Sequence, residues 1–379
     1  MRIMYISANA GGILKYIKEL SSKIDATQAV IFSENHKEMV EKDLTNIDNK
    51  IYLNMKEGRN ILDNIRLIND IKKAVKSFNP DIVYIHGSRI SFVSRIALMG
   101  FKNIKIIFNP HGWNFSNKFN IFFEKFFAKY TDMIINTSEK ELKLAESKGI
   151  KPRIGMYKIN NGIDFERYEE LYNNKEEKET VRKEIREKLN IDEFQKAVVQ
   201  VGNITPKRDP FIFLSACLAL IKMGYNIKVI MIGDGDKEYI NKIMEFAETN
   251  NMLDKIEITG WVDNLADYLI SMDIAVSTVK NENTPITLAE YMAAKLSIVS
   301  NNAEINAEIL DYGKFGRIVS SGDMEDYVHQ MQEIFMDDPK DMSMKESTYR
   351  YAKENYNLNK MVEKHKEVFI VLCDEESVN

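Results

Sequence analysis

The chain of 379 residues is long enough for two domains, and its 44% hydrophobic and 29% charged residues are typical of a globular protein. Cys217 and Cys373 are the only cysteines, which excludes a disulfide framework and a cysteine zinc site. No apolar run approaches the roughly 18 residues of a membrane span. The first residues lead directly into a strand pattern, so we expect a cytoplasmic protein without a signal peptide.

The net charge of -5 is divided unevenly along the chain. Residues 1–167 hold 27 basic and 18 acidic side chains, a balance of +9, whereas the remainder holds 25 and 39, a balance of -14. A basic half joined to an acidic half indicates that one part of the protein faces something anionic.

The first half alternates strand-like runs with helical spacing, which is typical of a doubly wound α/β domain. Its first unit is a strand over 2–7, a turn at Gly11 and Gly12, and a helix. Such a turn lets the backbone approach a ligand closely. Taken alone, the two glycines fit a tight turn without a ligand equally well.

Two later strand runs end in the same dipeptide, His86-Gly87 and His111-Gly112. Ligands of parallel α/β sheets bind at the carboxyl ends of the strands. A single histidine at such a place is more often structural, but two at matching ends leave a functional role equally open.

Residues 113–130 are unusually rich in aromatic and basic side chains. Between Arg89 and Lys129 there are seven basic residues and one acid, Glu124. The simple interpretation is an amphipathic helix packed on the sheet, with a basic face that attracts anionic substrates. The alternative is contact with an anionic membrane, because basic and aromatic side chains together suit that surface. The membrane- or acceptor-facing candidates are Trp113, Lys118, Lys125 and Lys129.

The second half repeats the α/β pattern after a strongly charged stretch. We expect an N-terminal domain over 1–167, a charged linker and helix over 168–195, and a C-terminal domain over 196–350. Residues 351–379 are predicted to form a long amphipathic helix and tail that return to the first domain.

Several loops of the second half carry candidate ligand-binding residues. Asn203 follows a strand, and Lys207 and Arg208 come shortly after it, where two cations can neutralise phosphate or form a solvated charge pair. Asp234 and Asp236 are interpreted as turn residues rather than metal ligands.

A further strand ends in Gly260, Trp261 and Val262, which can offer backbone groups and an aromatic face to a nucleobase. For Trp261 alone, burial in the core is the more common explanation.

The stretch from Glu282 to Glu290 is the most informative one in the chain. Thr284 suits a helix N-cap and Pro285 the first helical position. The free N–H groups of Ile286, Thr287 and Leu288 would then bind a phosphate. Glu282 and Glu290 would flank it and accept hydrogen bonds from hydroxyl groups, a pattern that fits a nucleotide diphosphate sugar. The alternative is a surface helix with two solvated glutamates.

Taken together, these motifs resemble those of retaining glycosyltransferases of the GT-B fold, in family four. The resemblance depends on residues in the expected order, namely Gly11-Gly12, His111-Gly112, Asn161 to Asp164, Gly233-Asp234-Gly235 and Glu282 to Glu290. It implies two Rossmann-like domains facing a central cleft, with the C-terminal helix crossing back to the first domain.

The resemblance also implies a role for each matching residue. Gly11 and Gly12 would lie beside the diphosphate and acceptor, and His111 over the donor sugar, with His86 less important. Glu282 would bind sugar hydroxyls and Glu290 the ribose. Arg208 and Lys207 would stabilise the leaving diphosphate. The donor-side residues are Gly11, Gly12, Asn203, Lys207, Arg208, Gly260, Trp261, Val262, Glu282, Ile286, Thr287, Leu288 and Glu290, of which Arg208 and Glu282 join His111 as catalytic candidates.

The implied activity is metal-independent, retaining sugar transfer from a nucleotide diphosphate sugar, with a UDP-sugar as the expected donor and no cofactor. The acceptor would be a glycan or a lipid-linked glycan of cell-surface polysaccharide or glycoconjugate synthesis, and no nucleic acid partner is expected. A peripheral position on the inner face of the membrane stays open. So do a nucleotide-sugar epimerase and a non-catalytic partner subunit.

Four positions depart from the family pattern. Arg208 stands in the place of the family's phosphate-binding lysine, with Lys207 next to it. Asn203 stands where the family usually has an arginine, which leaves one cation at the diphosphate missing or supplied differently. Lys295 and Ser297 stand where glycine and proline are usual.

Overall fold

The computed structural model describes residues 1–56, 60–279, 286–336 and 339–374, without the side chains of 339–342 and 374. The chain divides into two compact units. Unit 1 comprises residues 1–162 and the segment from 358 onward, and unit 2 comprises residues 163–357.

Unit 1 alternates strands with helices from its first residues. Its strands are β1 (Arg2–Ser7), β2 (Thr27–Ser33), β3 (Asn49–Leu53), β4 (Ile82–His86), β5 (Lys105–Asn109), β6 (Met133–Asn136) and β7 (Gly155–Lys158). Its first helices are α1 (Gly12–Ser22), α2 (Lys37–Asp43), α3 (Ile61–Phe78), α4 (Ser88–Leu98), α5 (Lys118–Ala128) and α6 (Glu139–Ser147).

Unit 2 follows the same alternation. Its strands are β8 (Lys196–Val201), β9 (Ile227–Ile232), β10 (Ile256–Ile258), β11 (Ile274–Ser277), β12 (Ser297–Asn301) and β13 (Arg317–Val319). Its helices are α7 (Glu166–Asn173), α8 (Lys175–Lys188), α9 (Pro210–Lys222), α10 (Lys237–Thr249), α11 (Leu265–Leu269), α12 (Ile286–Ala293), α13 (Glu304–Ile309), α14 (Met324–Phe335) and α15 (Pro339–Asn355).

The last helix, α16 (Leu358–Asp374), belongs to unit 1. Its apolar face includes Met361, Val362, Phe369 and Leu372, all buried against the same core as Ile17 of α1. The end of the chain therefore returns to the first unit, as the sequence predicted, but from Leu358 and not from residue 351, because residues 351–357 belong to unit 2.

Each unit is built on one parallel sheet. The strand order is β3-β2-β1-β4-β5-β6-β7 in unit 1 and β10-β9-β8-β11-β12-β13 in unit 2. Alternate residues of β1 enter two different cores, since Ile3 and Tyr5 pack on one face and Met4 and Ile6 on the other. In unit 2, Val199 and Val198 of β8 likewise pack into two different cores. Both sheets are therefore covered by helices on both faces, which confirms the doubly wound α/β architecture.

The strand order reverses between β1 and β4 in unit 1, and between β8 and β11 in unit 2. In open parallel sheets, ligands bind outside the carboxyl ends of the strands at such a reversal. The loops after these strands are therefore the places to look for function.

Residues 168–195, predicted as a charged linker and helix, form α7, α8 and the turn before β8, and they lie in unit 2. Arg186 of α8 is buried, and its guanidinium donates to Asp273 (3.2 Å) and to the backbone oxygens of Asp192 (2.8 Å) and Ser271 (3.2 Å). The charge of this segment thus includes interactions that fix α8 to the unit.

Lys295 explains one departure from the family pattern. Its φ of 55° lies in the left-handed region, where glycine is the least strained residue. The lysine side chain offsets this cost, since Nζ lies 2.6 Å from the Glu346 carboxylate and over the rings of Tyr172 and Tyr349.

Within the described residues, none of the helices combines the length and apolarity needed to span a bilayer.

Candidate active site

The loop after β1 in unit 1 contains the two predicted glycines. Gly11 has a φ of 67°, and Gly12 begins α1. A Cβ placed on either glycine would meet no atom within 4 Å, so both positions border open space. This is the local geometry expected where a backbone approaches a ligand.

The two predicted histidines lie side by side. Nδ1 of His86 and Nε2 of His111 are 3.0 Å apart, and the rings stack with centroids 5.3 Å apart. The imidazole of His86 is buried, with 1% of its surface exposed, whereas His111 is half-buried. Their matching positions at two strand ends placed both near one edge of the sheet, and the structure joins them through a hydrogen bond.

His111 adopts an unusual backbone conformation. Its φ of 45° is uncommon for a residue with a side chain, and its N–H donates to Oδ1 of Asn109 at 3.0 Å. Strained residues of this kind occur preferentially at functional sites, so the conformation supports a functional role for His111.

Three further side chains complete this cluster, and the sequence analysis did not single them out. The hydroxyls of Tyr16 on α1 and Tyr84 on β4 lie 2.7 and 3.2 Å from Nε2 of His365 on α16. The Tyr16 ring contacts His111 edge-on, with centroids 5.0 Å apart. The two tyrosines follow core spacing and are read as core from sequence. His365 could have been found, because it lies on the apolar face of α16, four residues after Met361.

Burial keeps the imidazoles of this cluster uncharged. Desolvation, and secondarily the nearby His365, lowers the pKa of His111 to about 3. Desolvation lowers the pKa of His365 to about 4. The pKa of His86 lies well below its usual value for the same first reason, with contributions from His111 and His365. At neutral pH the cluster therefore presents hydrogen-bonding groups without net charge.

The face of α5 combines lysines with exposed phenylalanines. Phe119 and Phe122 are 67% and 63% exposed, and Phe126 is 38% exposed. Lys118, Lys125 and Lys129 are exposed on the same helix and at its C-terminal end. We call these six side chains the α5 face. The helix therefore exposes phenylalanine rings that packing of one face on the sheet does not account for.

Two charged residues near α5 neutralise each other away from solvent. Arg95, 1% exposed, lies 2.6 Å from the Glu124 carboxylate. The single acid between Arg89 and Lys129 is thus paired with a buried arginine, which leaves six basic residues on this stretch.

Trp113 does not belong to the α5 face. It is half-buried, its indole N–H donates to Oδ1 of Asn136 at 2.9 Å, and it packs against Phe108 and Phe115. Its assignment as a membrane-facing residue loses support, because the ring is held at the end of the sheet.

In unit 2, the loops after β8 and β9 meet through glycine backbone. A Cβ on Gly233 would lie 2.2 Å from the carbonyl oxygen of Gly202, so a side chain cannot be accommodated there without movement. The loop after β10 joins the same arrangement, because the N–H of Gly233 donates to the carbonyl oxygen of Gly260 at 2.9 Å. Three strand ends are therefore held close together by backbone contacts.

The predicted cations follow β8 in a short turn of 3₁₀ helix, Pro206–Arg208. The guanidinium of Arg208 folds over Gly202 and donates to the carbonyl oxygen of Val201 at 2.7 Å. The side chains of Asn203 and Lys207 are exposed. Of the predicted phosphate-side residues, Arg208 is thus the one fixed against the strand end.

The loop after β9 confirms the interpretation of its two aspartates. Oδ1 of Asp234 accepts from the N–H of Gly235, and Oδ1 of Asp236 caps α10 by accepting from the N–H groups of Glu238 and Tyr239. Among the described residues, no three His, Cys, Asp or Glu side chains lie where they could share a metal ion.

The predicted phosphate-binding helix is α12, which spans Ile286–Ala293. Ile286, Thr287 and Leu288 occupy its first turn, as the sequence predicted. Glu290 is buried, and its Oε2 accepts a hydrogen bond from the Tyr168 hydroxyl at 2.8 Å. Glu282, Thr284 and Pro285 lie outside the described residues.

Tyr168 was missed because it lies in the segment interpreted as a linker, where nothing in the sequence distinguishes it from other aromatic residues. The structure places it on α7, within the same unit as Glu290. Its hydroxyl orients the carboxylate that the sequence assigned to the ribose.

The loop after β10 exposes its tryptophan. Trp261 is 68% exposed, so the alternative explanation of this residue, burial in the core, is wrong. A cavity of about 280 Å³ opens beside this loop. Its lining includes Thr259, Trp261, Val262, Lys188 and Tyr268, with Lys188 Nζ 2.7 Å from the Tyr268 hydroxyl.

Comparison with known proteins finds a glycosyltransferase family model for each half of the chain. The family model Glycosyltransferase Family 4 matches residues 10–167, and the model Glycosyl transferases group 1 matches residues 181–351. A UDP-Gal:alpha-D-GlcNAc-diphosphoundecaprenol alpha-1,3-galactosyltransferase of Escherichia coli is 23% identical over 81% of each chain. An uncharacterized 41.2 kDa protein of the Klebsiella pneumoniae cps region is 25% identical over 87% of this chain and 89% of that protein.

Solved structures show the same fold. The Anabaena protein Alr3699/HepE in complex with UDP and glucose has a TM-score of 0.82 at 13% identity, with 98% of this chain and 100% of that one covered. WaaG, a glycosyltransferase involved in lipopolysaccharide biosynthesis, has a TM-score of 0.74 at 14% identity, with 97% and 96% covered. The two family models follow one another along most of the chain and describe successive parts of one kind of enzyme, so the protein belongs to the GT-B glycosyltransferases of family four.

Proposed function

We propose that the protein is a retaining glycosyltransferase that moves a sugar from a nucleotide diphosphate sugar to a glycan or lipid-linked acceptor. The observation that carries this proposal is the arrangement at the strand ends of unit 2. There the glycine loops after β8, β9 and β10 meet, Arg208 is fixed over Gly202, and Tyr168 orients Glu290. A cation, close-packed backbone and an oriented carboxylate suit the diphosphate and ribose of one ligand.

UDP is the nucleotide we propose, and cell-surface polysaccharide or glycoconjugate synthesis the setting. The Escherichia coli relative is named for a UDP-galactose donor and a diphosphoundecaprenol-linked acceptor, and the Anabaena structure contains UDP. Those names support a UDP-sugar donor and a lipid-linked or polymeric acceptor here.

In the proposed reaction, departure of the nucleoside diphosphate develops negative charge on phosphate oxygens and positive charge at the sugar carbon. Arg208, Lys207 and the first-turn N–H groups of α12 stabilise the phosphate charge. These groups replace a metal ion. His111 binds a sugar hydroxyl, and its lowered pKa keeps a second positive charge away from the carbon.

Two alternative functions of the same fold class are a nucleotide-sugar epimerase and a non-catalytic partner subunit. A nucleotide-sugar epimerase would need acid and base carboxylates in unit 1, whereas the described contacts of His111 include the His86 imidazole, the Tyr16 ring and the Asn109 amide. A non-catalytic partner subunit is suggested by Asn203, which stands where the family usually has a cation.

The donor is identified by adding each of a panel of nucleotide sugars to the protein and measuring its stability. A donor at 100 times its dissociation constant should stabilise the protein by about 2.7 kcal/mol, which thermal denaturation detects. Release of nucleoside diphosphate that depends on an acceptor supports transfer. Conversion of the donor without acceptor indicates an epimerase, and binding without release indicates a partner subunit.

We further propose that unit 1 contacts an anionic membrane surface through the α5 face. Its three lysines add about 1 kcal/mol each near an anionic leaflet. The exposed rings of Phe119 and Phe122 add apolar area that can enter the interface. The pairing of Arg95 with Glu124 leaves no carboxylate from residues 89–129 to oppose this attraction.

Liposome co-sedimentation tests this second proposal. Binding to anionic but not neutral vesicles should weaken with salt and be lost in Lys118→Glu/Lys125→Glu/Lys129→Glu. The control Lys183→Glu/Lys222→Glu/Lys237→Glu makes the same charge change on exposed lysines of unit 2 and should bind normally. Phe119→Ser/Phe122→Ser removes the two exposed rings and leaves the charge unchanged. Its vesicle binding therefore measures the contribution of ring insertion alone. If neither vesicle binds, a soluble acceptor is the better assignment.

A further inference from the structure

The hydrogen bond between His86 and His111 imposes a constraint on both rings. Nδ1 of His86 and Nε2 of His111 are 3.0 Å apart, and between two neutral imidazoles one nitrogen must donate and the other accept. The two rings therefore have complementary tautomers, of which two arrangements are possible. Nε2 of His86 is buried without a hydrogen-bond partner among the described residues, and orphaned buried N–H groups are rare, so the proton of His86 is on Nδ1, which donates to Nε2 of His111. The tautomer of His111 in turn decides whether its other ring nitrogen donates or accepts.

The opposite side of His111 is fixed from the end of the chain. Nδ1 of His365 lies 2.7 Å from the carbonyl oxygen of Met361, which can only accept, so this nitrogen carries a proton. Because His365 is neutral, its Nε2 accepts, and the Tyr16 hydroxyl at 2.7 Å is the donor. This bond holds the Tyr16 ring, whose edge packs on His111 with centroids 5.0 Å apart and an interplanar angle of 85°.

We infer that His86 is a positioning residue for His111 and that, together with Tyr16 and His365, it holds the His111 imidazole in one orientation and one tautomer. The inference rests on the proposed role of His111 at the donor sugar. The sequence predicted only that His86 matters less than His111, and the hydrogen bond between them gives His86 a specific part. It also gives α16 a part in the site, since His365 lies on that helix.

The physical reason is that a sugar hydroxyl can be bound productively only if the imidazole offers the correct group. A ring free to change tautomer would present a donor part of the time and an acceptor otherwise. Burial of His86, 1% exposed, keeps water from competing for the shared hydrogen bond. The strained φ of 45° at His111 shows that surrounding contacts determine its conformation.

The direct test is the tautomer of each histidine in the full-length protein labelled with ¹⁵N-histidine. Two-bond ¹H–¹⁵N spectra should show single, complementary tautomers for His86 and His111. In His86→Phe, which keeps a ring but not the hydrogen bond, the His111 nitrogens should shift towards a mixture. His86→Asn offers a polar atom near the position of Nδ1 and should restore a single tautomer. Unchanged His111 signals in His86→Phe would overturn the inference.

Transfer kinetics provide a second readout. We expect His86→Phe to lower kcat about tenfold, because small misplacements of a reacting group are costly, with the donor KM changed less than about twofold. His86→Asn should recover most of the loss. A purely structural role would instead lower the thermal midpoint of both variants without rescue by asparagine.

Tyr16→Phe tests the other half of the cluster and removes only a hydroxyl. The His365 nitrogens should shift when Nε2 loses its donor, and unchanged signals would remove His365 from the assignment. His36→Phe, at a half-exposed position of unit 1, is the matched control and should alter neither spectrum nor rate. If His111→Ala retains full transfer, the proposed function of His111 fails, but the spectra still decide whether His86 sets its tautomer.

Discussion

At the strand ends of unit 1 the polar groups are imidazoles and phenols, whereas the strand ends of unit 2 carry a guanidinium, a carboxylate and close-packed glycine backbone. Both sites follow the reversal of a parallel sheet, so topology alone does not explain the difference. Neutral hydrogen-bonding rings suit sugar hydroxyls, and charged or backbone donors suit phosphates. Under the proposed function, one sheet architecture therefore serves two kinds of recognition, and the loops decide which.

The largest expected effect is on the charged site of unit 2. Arg208→Ala should lower kcat by about 10²–10³-fold, since that is the typical cost of removing one preorganised group that stabilises developing charge. The donor dissociation constant should change less, because the charge is greatest in the transition state. Steady-state transfer assays measure both quantities. Lys222→Ala, on an exposed face of α9, is the control, and an unchanged kcat in Arg208→Ala would remove Arg208 from the mechanism.

Replacing one glycine of each unit by alanine compares how much room each site leaves for a side chain. The measured quantity is the loss in the free energy of unfolding. Gly233→Ala should lower the free energy of unfolding by about 3 kcal/mol, because a Cβ 2.2 Å from the Gly202 carbonyl adds a clash to a strained φ of 142°. Gly11→Ala should cost only about 1–2 kcal/mol, since it meets open space and adds backbone strain alone. Urea denaturation checks the pair, and equal losses would contradict the difference.

Glu290→Gln should weaken binding of the nucleoside diphosphate about tenfold, because a hydrogen bond to a charged acceptor contributes about 1.5–3 kcal/mol and an amide replaces it poorly. The glutamine keeps an acceptor for the Tyr168 hydroxyl. Tyr168→Phe should have a smaller effect of about threefold, through loss of orientation only. Isothermal titration calorimetry measures both, and a larger effect at Tyr168 than at Glu290 would reverse the assigned roles.

Acid should destabilise unit 1 before unit 2. The folded pKa values of His111 (about 3) and His365 (about 4), and the depressed pKa of His86, lie below the unfolded value of about 6.5. The unfolded chain therefore binds protons that the folded chain cannot, and stability is lost as pH falls below about 6.5. Each histidine contributes at most about 1.4 kcal/mol per pH unit.

Denaturation at several pH values between 6.5 and 5 checks this dependence. His86→Asn should reduce the slope by up to one proton. Unit 2 contains a single histidine, His329, which is exposed, so its stability should change little over the same interval. A pH dependence that is the same for both units would contradict burial of the neutral histidines.

The fold could be predicted from the sequence because hydrophobic periodicity and glycine positions can be recognised within short segments of the chain. The continuous apolar run of β1, helical spacing in α1 and α16, and glycines after β1 and β9 each follow from nearby residues. The candidate residues after strand ends, including His111 and Arg208, could be named for the same reason, since topology brings strand ends together, and Glu290 could be named from the helix-start pattern that precedes it.

Pairings between distant residues were decided only by the tertiary structure. His86 meets His111 across two strands, Tyr16 meets His365 across 349 positions, and Tyr168 meets Glu290 across 122. Exposure was also not readable from composition, as Trp261 at 68% and the burial of Arg95 show. The physical reason is that burial and hydrogen bonding depend on which elements pack together, and one sequence without its packing does not specify which polar side chain meets which.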